Sequence, residues 1–166
     1  SKIKDYSLTL GAGIHIIDLI MWLINSKPIS VYAVGNKIAT TGTKFKKESL
    51  VVVLLRFPKN ILVKITANGG AVFEHFHELK IFGLNKTIVN SRLGAFCQDN
   101  KKYKRLNIPY PDKKNRKTLI RNFIDSLKNK KIRPIISIKE QIDLMTVCFD
   151  IDKSLKLKKK IKIKYL

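Results

Sequence analysis

The stretch Leu50–Phe57, LVVVLLRF, constrains the fold most. Eight nearly uninterrupted apolar and β-branched residues suit a strand at the centre of a sheet, covered on both faces. Pro58-Lys59-Asn60 follows as a short loop, and Ile61–Asn68 then alternates, with Ile61, Val63, Ile65 and Ala67 on one side. A three-residue connection favours an antiparallel return. Gly69-Gly70 ends that strand.

Around this pair the remaining elements fall into order. Ile29–Thr40 is expected to be extended, with Tyr32, Val34 and Ile38 on one face, before a polar turn at 41–47. Glu74–Phe82 reads as a further strand, placing His75 and His77 on a common face. Short strands are expected over Thr87–Asn90 and Gly94–Gln98. The basic segment Asp99–Asn115, with Pro109 and Pro111, reads as an exposed loop. Asn115–Asn129 carries Leu119, Ile120, Phe123, Ile124 and Leu127 at helical spacing. Ser137-Ile138-Lys139-Glu140 is a capping-box signature opening a second helix through Ile142, Met145, Phe149 and Leu155. Ile161, Ile163 and Tyr165 alternate with lysines in a last strand. The expected class is α+β: a mostly antiparallel (mixed) open sheet of five or six strands plus the closing one. Helices pack on one face, and the other face is left for oligomerisation. Residues 1–166 are read as one domain.

The segment Gly11–Trp22, GAGIHIIDLIMW, carries the chemistry. Apolar side chains surround its helix except at His15, Asp18, Trp22 and Asn25, whose spacings of three, four and three give one stripe. Gly11 and Gly13 lack a Cβ, so a backbone or a ligand can approach closely there. Two readings of His15 stay open on spacing alone. It is a core histidine bonded to Asp18 or to a backbone carbonyl, or it faces a cleft and transfers protons, which an imidazole does near neutral pH.

Composition narrows the partners. The chain carries 34 Lys+Arg against 12 Asp+Glu, a formal net charge of +22. Only six of the basic residues are arginines, and the lysines are spread along the chain with few local clusters. Nucleic-acid readers lean on arginine forks and interleaved aromatics, so no specific nucleic-acid partner is expected. No apolar run approaches a membrane span, so no membrane partner is expected. Cys97 and Cys148 stand far apart without a CxxC or a zinc set, which fits a reduced, cytoplasmic setting. His75 and His77 alone, without a third ligand at defined spacing, predict no metal; they read as polar residues lining a sheet face or as substrate contacts.

The element order together with GAGIHIIDLIMWL resembles the C-terminal domain of the Gfo/Idh/MocA oxidoreductases. The resemblance extends from Gly11 to Tyr165 and includes His75-Phe76-His77-Glu78-Leu79 with Ile81-Phe82-Gly83. It implies an NAD(P)-dependent oxidoreductase acting on CH–OH groups of a sugar or nucleotide sugar. His15 would be the base, or its relay, that takes the hydroxyl proton. Gly11, Gly13, Asp18, Trp22, His75 and His77 would touch substrate or support the site. Family members typically carry an aspartate four residues before this histidine, and Gly11 stands there instead. The resemblance further implies that NAD or NADP binds an N-terminal Rossmann domain, whose fingerprint this chain lacks. This chain would bind no cofactor and would be inactive alone. The rival reading is a non-catalytic oligomerisation or interaction domain with a basic surface.

Overall fold

The computed structural model describes residues 6–107 and 114–166. It divides into two compact units, one running to Val72 and resuming at Ile136–Leu166, the other Phe73–Ile135.

The first unit is built on strands β1 (Ser30–Asn36), β2 (Leu50–Arg56), β3 (Leu62–Asn68) and β8 (Ile161–Lys162), with helices α1 (Ile14–Ile24) and α3 (Ile138–Leu157). The sheet order is β3-β2-β1-β8, and every pairing is antiparallel. As the sequence predicts, β2 is an inner strand, and β3 returns beside it through Pro58-Lys59-Asn60. Lys59 and Asn60 take positive φ of 56° and 60°, which bends the chain sharply enough for Phe57 N–H to donate to the Ile61 carbonyl at 2.9 Å.

Within the first unit the apolar run of β2 is covered on one face only. Val51, Val53 and Leu55 point inward and are buried, Leu55 fully. They meet Ile17 and Ile20 of α1 and Val147, Cys148 and Ile151 of α3 in one core. On the outer face Leu54 pairs laterally with Tyr32 and Lys64, and Tyr32, Val34, Leu54 and Leu62 remain exposed. Helices therefore cover one side of this sheet only.

α3 starts as its sequence requires. The Ser137 Oγ accepts from Glu140 N–H at 3.2 Å, and Ser137 N–H donates to the Glu140 carboxylate at 2.7 Å. Two of the donors left without a helical partner at this end, Ser137 N–H and Glu140 N–H, are thereby satisfied. Near its end, the fully buried Ser154 accepts from Ala33 N–H at 2.9 Å and donates to the Lys159 carbonyl at 2.7 Å. Strand β8 pairs only with Ser30 and Val31, so Ser154 takes over where the ladder stops. The chain end is fixed by Tyr165, whose hydroxyl donates to the Pro28 carbonyl at 2.7 Å. Lys27 lies over the Tyr165 ring at 4.2 Å and pairs with buried Asp143 at 3.1 Å.

The second unit is a four-stranded antiparallel meander in the order β4-β5-β6-β7, with helix α2 (Lys114–Lys128). Its strands are β4 (Leu79–Phe82), β5 (Lys86–Ser91), β6 (Gly94–Asp99) and β7 (Tyr103–Leu106). Here the structure corrects three expectations. The strands are divided between two sheets rather than gathered in one. The strand expected over Glu74–Phe82 begins only at Leu79, so His75 and His77 precede it. The expected loop Asp99–Asn115 contains β7, reached by a tight turn in which the Asp99 carboxylate accepts from Lys101 and Lys102 N–H, each at 2.8 Å. Pro109 and Pro111 of that loop lie outside the described residues. Among the described residues no helix is long and apolar enough to cross a membrane.

Ser154→Ala removes one partner from the Ala33 N–H and one from the Lys159 carbonyl. It is expected to cost about 1–3 kcal/mol, read as a lower urea midpoint at unchanged slope; an unmoved midpoint contradicts this role.

Candidate functional site

The approach to α1 is a single π-helical turn, Thr9–Gly13, in which Ile14 N–H reaches back five residues to the Thr9 carbonyl. Ser7 ties this turn to α3: its hydroxyl donates to Asp152 Oδ1 at 3.0 Å, while Lys47 holds Asp152 Oδ2 at 3.1 Å. At the other end Asn25 adopts the left-handed conformation, φ 50°, and Ser26 N–H donates to the Met21 carbonyl at 3.3 Å.

Between those ends α1 buries Ile17 and Ile20 and turns its opposite side outward. His15, Asp18 and Trp22 are all exposed, Trp22 at 74%. The helix is thus half-buried, although its composition is apolar almost all round. Asp18 is close enough to His15 to feel its charge, and close enough to Glu140 at the start of α3 to be repelled by it. Partial burial is the main influence on Asp18; with the Glu140 charge it raises the carboxyl above the usual aspartate range, against an opposing pull from His15. Glu140 itself is held low, first by the Ser137 N–H and then by the Ser137 hydroxyl.

Beside the π-turn lies a cavity of about 440 Å³. Tyr6, Thr40, Phe45, Lys47 and Glu48 line it, with Gly69 and Gly70. The Tyr6 and Phe45 rings meet edge to face, 6.4 Å between centroids. Tyr6 also lies over Gly11, so that a Cβ built on Gly11 would overlap the tyrosine hydroxyl and the adjoining ring carbons. Gly13 has no such neighbour: its Cβ would meet only the Leu8 carbonyl, at 3.7 Å. Nothing in the residue pattern announces Tyr6, Lys47 or Glu48. Tyr6 precedes the periodic segment, and Lys47 is one of many lysines; tertiary folding alone selects them.

In the second unit His75 and His77 sit side by side, ring centroids 4.8 Å apart and edge to face. Their neighbour Glu74 pairs with Arg92, which also covers the Phe73 ring at 5.0 Å. Among the described residues no group of three His, Cys, Asp or Glu is placed to hold a metal. Nor do these residues match a dinucleotide cradle. Gly11-Ala12-Gly13 lies inside the helical turn, not between a strand and a helix, and both sheets are wholly antiparallel. The parallel βαβ unit that seats a pyrophosphate at a helix N-terminus has no counterpart among them.

The chain has an α+β fold with an exposed histidine on helix α1, and known proteins share its form. The model of the Gfo/Idh/MocA C-terminal domain matches residues 5–89. No curated protein matches at the level of sequence. The NAD-binding protein from Listeria innocua superposes with a TM-score of 0.70 at 17% identity, over 95% of this chain and 48% of its own. The myo-inositol 2-dehydrogenase from Lactobacillus plantarum gives 0.67 at 16%, over 91% and 47%. The UDP-N-acetylglucosamine 3-dehydrogenase from Acidithiobacillus ferrooxidans gives 0.69 at 15%, over 87% and 45%. The chain belongs to the Gfo/Idh/MocA oxidoreductase family, as part of its C-terminal domain. It spans about half the length of the solved structures it matches.

The raised Asp18 carboxyl sets a pH dependence. Its charged form is disfavoured in the folded chain, so the cost to stability is full at neutral pH. The cost is relieved as pH falls through the raised value and is gone below the ordinary aspartate range. Asp18→Asn is therefore expected to melt no lower than the parent at pH 7, and the two should converge in acid. Carbon-13 titration of the Asp18 carboxyl at or below the usual aspartate value contradicts the assignment.

Proposed function

We propose that this chain is the substrate-binding and oligomerisation part of an NAD(P)-dependent oxidoreductase acting on a CH–OH group of a sugar or nucleotide sugar. One observation carries the reading most: in a chain of this family, His15 stands exposed on α1 instead of being buried in the core. An exposed imidazole beside a carboxylate is equipped to take the proton of a substrate hydroxyl as its carbon is oxidised. Asp18 supports the imidazole through its charge, and Trp22 offers a flat apolar surface on the same stripe. Gly13 is assigned to the support of the helix entry, and His75 and His77 are assigned as polar contacts of the second unit. The nicotinamide nucleotide, NAD or NADP, is assigned to a Rossmann half, because the described residues offer it no cradle.

The sugar class rests on two structural relatives, one a myo-inositol 2-dehydrogenase and the other a UDP-N-acetylglucosamine 3-dehydrogenase. The outer face of the first sheet, with Tyr32, Val34, Leu54 and Leu62 exposed, supports self-association through a second copy. The unpaired cysteines, Cys97 and Cys148, fit a reducing cytoplasm. Burial pushes the Cys148 thiol up to about 12, with the Asp152 charge adding to it, so this cysteine is a core residue and no nucleophile.

A second reading, a non-catalytic oligomerisation domain with a basic surface, draws on Gly11, where the family's aspartate is missing. One assay separates the two. The chain is joined to a dinucleotide-binding half, and nicotinamide reduction is followed with myo-inositol and UDP-N-acetylglucosamine. Turnover is expected in the joined protein and none in the isolated chain. His15→Ala should lower kcat by about 10²–10⁴-fold. Turnover that survives the substitution makes His15 structural, and none at all with well-bound nucleotide favours the second reading.

A further inference from the structure

We propose that the Tyr6 hydroxyl is a substrate-contacting group of this site, taking the place that a side chain on residue 11 would fill. The proposal rests on the oxidoreductase reading and names a residue of that site. The geometry is direct. The space into which a Cβ on Gly11 would project is occupied by the Tyr6 hydroxyl and the ring carbons next to it. Residue 11 precedes His15 by four positions, about one turn along the helical path that runs from the π-turn into α1. The phenol is thus delivered from Tyr6 to the neighbourhood that a residue-11 side chain would share with His15.

The same ring forms part of the cavity wall, so it faces a space that a ligand can enter. At about 440 Å³ that space falls in the range of small-molecule sites. Its lining mixes an aromatic pair, Tyr6 and Phe45, with the hydroxyl of Thr40, the ammonium of Lys47 and the carboxylate of Glu48. A sugar ring presents the matching chemistry: an apolar face for the aromatics and several hydroxyls for the polar groups. Phe45 meets Tyr6 edge to face and restrains its swing.

The exchange has a chemical consequence. A carboxylate at residue 11 would only accept hydrogen bonds, whereas a phenol both donates and accepts. Tyr6 can therefore donate to a substrate oxygen from its place over residue 11, four positions before His15. It also explains how Gly11 is kept: an aspartate there would drive the Tyr6 ring out.

The test uses the joined enzyme of the preceding assay, with myo-inositol and UDP-N-acetylglucosamine as probes. Tyr6→Phe keeps the ring and removes the hydroxyl. It should lower kcat/KM by about tenfold, the scale of one lost hydrogen bond, while Tm stays within about 2 °C of the parent. Gly11→Asp alone should also lower turnover, because it displaces the ring. Tyr6→Ala combined with Gly11→Asp should exceed Tyr6→Ala alone, since a carboxylate then fills the vacated space. If Tyr6→Phe matches the parent while His15→Ala collapses, Tyr6 is a filler, and this proposal fails while the oxidoreductase reading stands. If the parent itself shows no turnover, both fail.

Discussion

The inward row of β2, Val51, Val53 and Leu55, is closed by Ile17 and Ile20 from α1 and by Val147, Cys148 and Ile151 from α3. The rest of the first unit is arranged around that contact. Burying apolar surface is non-directional, but a helix that buries one side must present the other. Once Ile17 and Ile20 are taken inward, positions 15, 18 and 22 have only outward directions left. The exposed stripe is therefore a by-product of core packing, and any change that rotates α1 on the sheet re-aims His15.

Packing alone leaves a helix free to slide, and here electrostatics supplies the stops. Of the four carboxylates on α3, Asp143 and Asp152 lie nine residues apart, about 14 Å along its axis. Asp152 holds Ser7, just before the π-turn, and Asp143 holds Lys27, just after α1 ends. Both ends of the leading helix are thus fastened to one rigid element. In a chain with 12 acidic residues against 34 basic ones, two of the acids are committed to this task. The Asp143 pair is partly shielded, with Tyr165 and Lys27 closing over it, and Tyr165 is itself pushed up in pKa by burial and by the charges of Asp143 and Asp150.

Where local signals were strong, the sequence was legible. The Ser137–Glu140 box, the β2–β3 return and the α1 stripe follow from residue pattern, because each is decided within a few positions. The misreadings share a cause. Alternation across Glu74–Glu78 satisfies the period of a strand, yet pairing begins only at Leu79, opposite Asn90, and alternation cannot say where a partner ends. β7 was hidden by charge: Tyr103-Lys104-Arg105-Leu106 looks solvated, but backbone pairing with β6 and the Phe96–Tyr103 ring contact at 5.1 Å decide it. At the candidate site, the common stripe of His15, Asp18 and Trp22 follows from their spacing. The placement of Tyr6 does not, because it comes from folding over Gly11 and not from spacing.

The π-turn at Thr9–Gly13 stores one residue more than an α-helix would use for the same advance. Because this turn already holds one residue in excess, removing one would close it to an ordinary α-helical turn and leave both α1 and the segment that carries Ser7 and Tyr6 nearly in place. The turn is a place where the chain can lose a residue without moving the elements on either side. A one-residue deletion here is a short step by which a lineage could change which residue stands four positions before His15 without rebuilding the sheet.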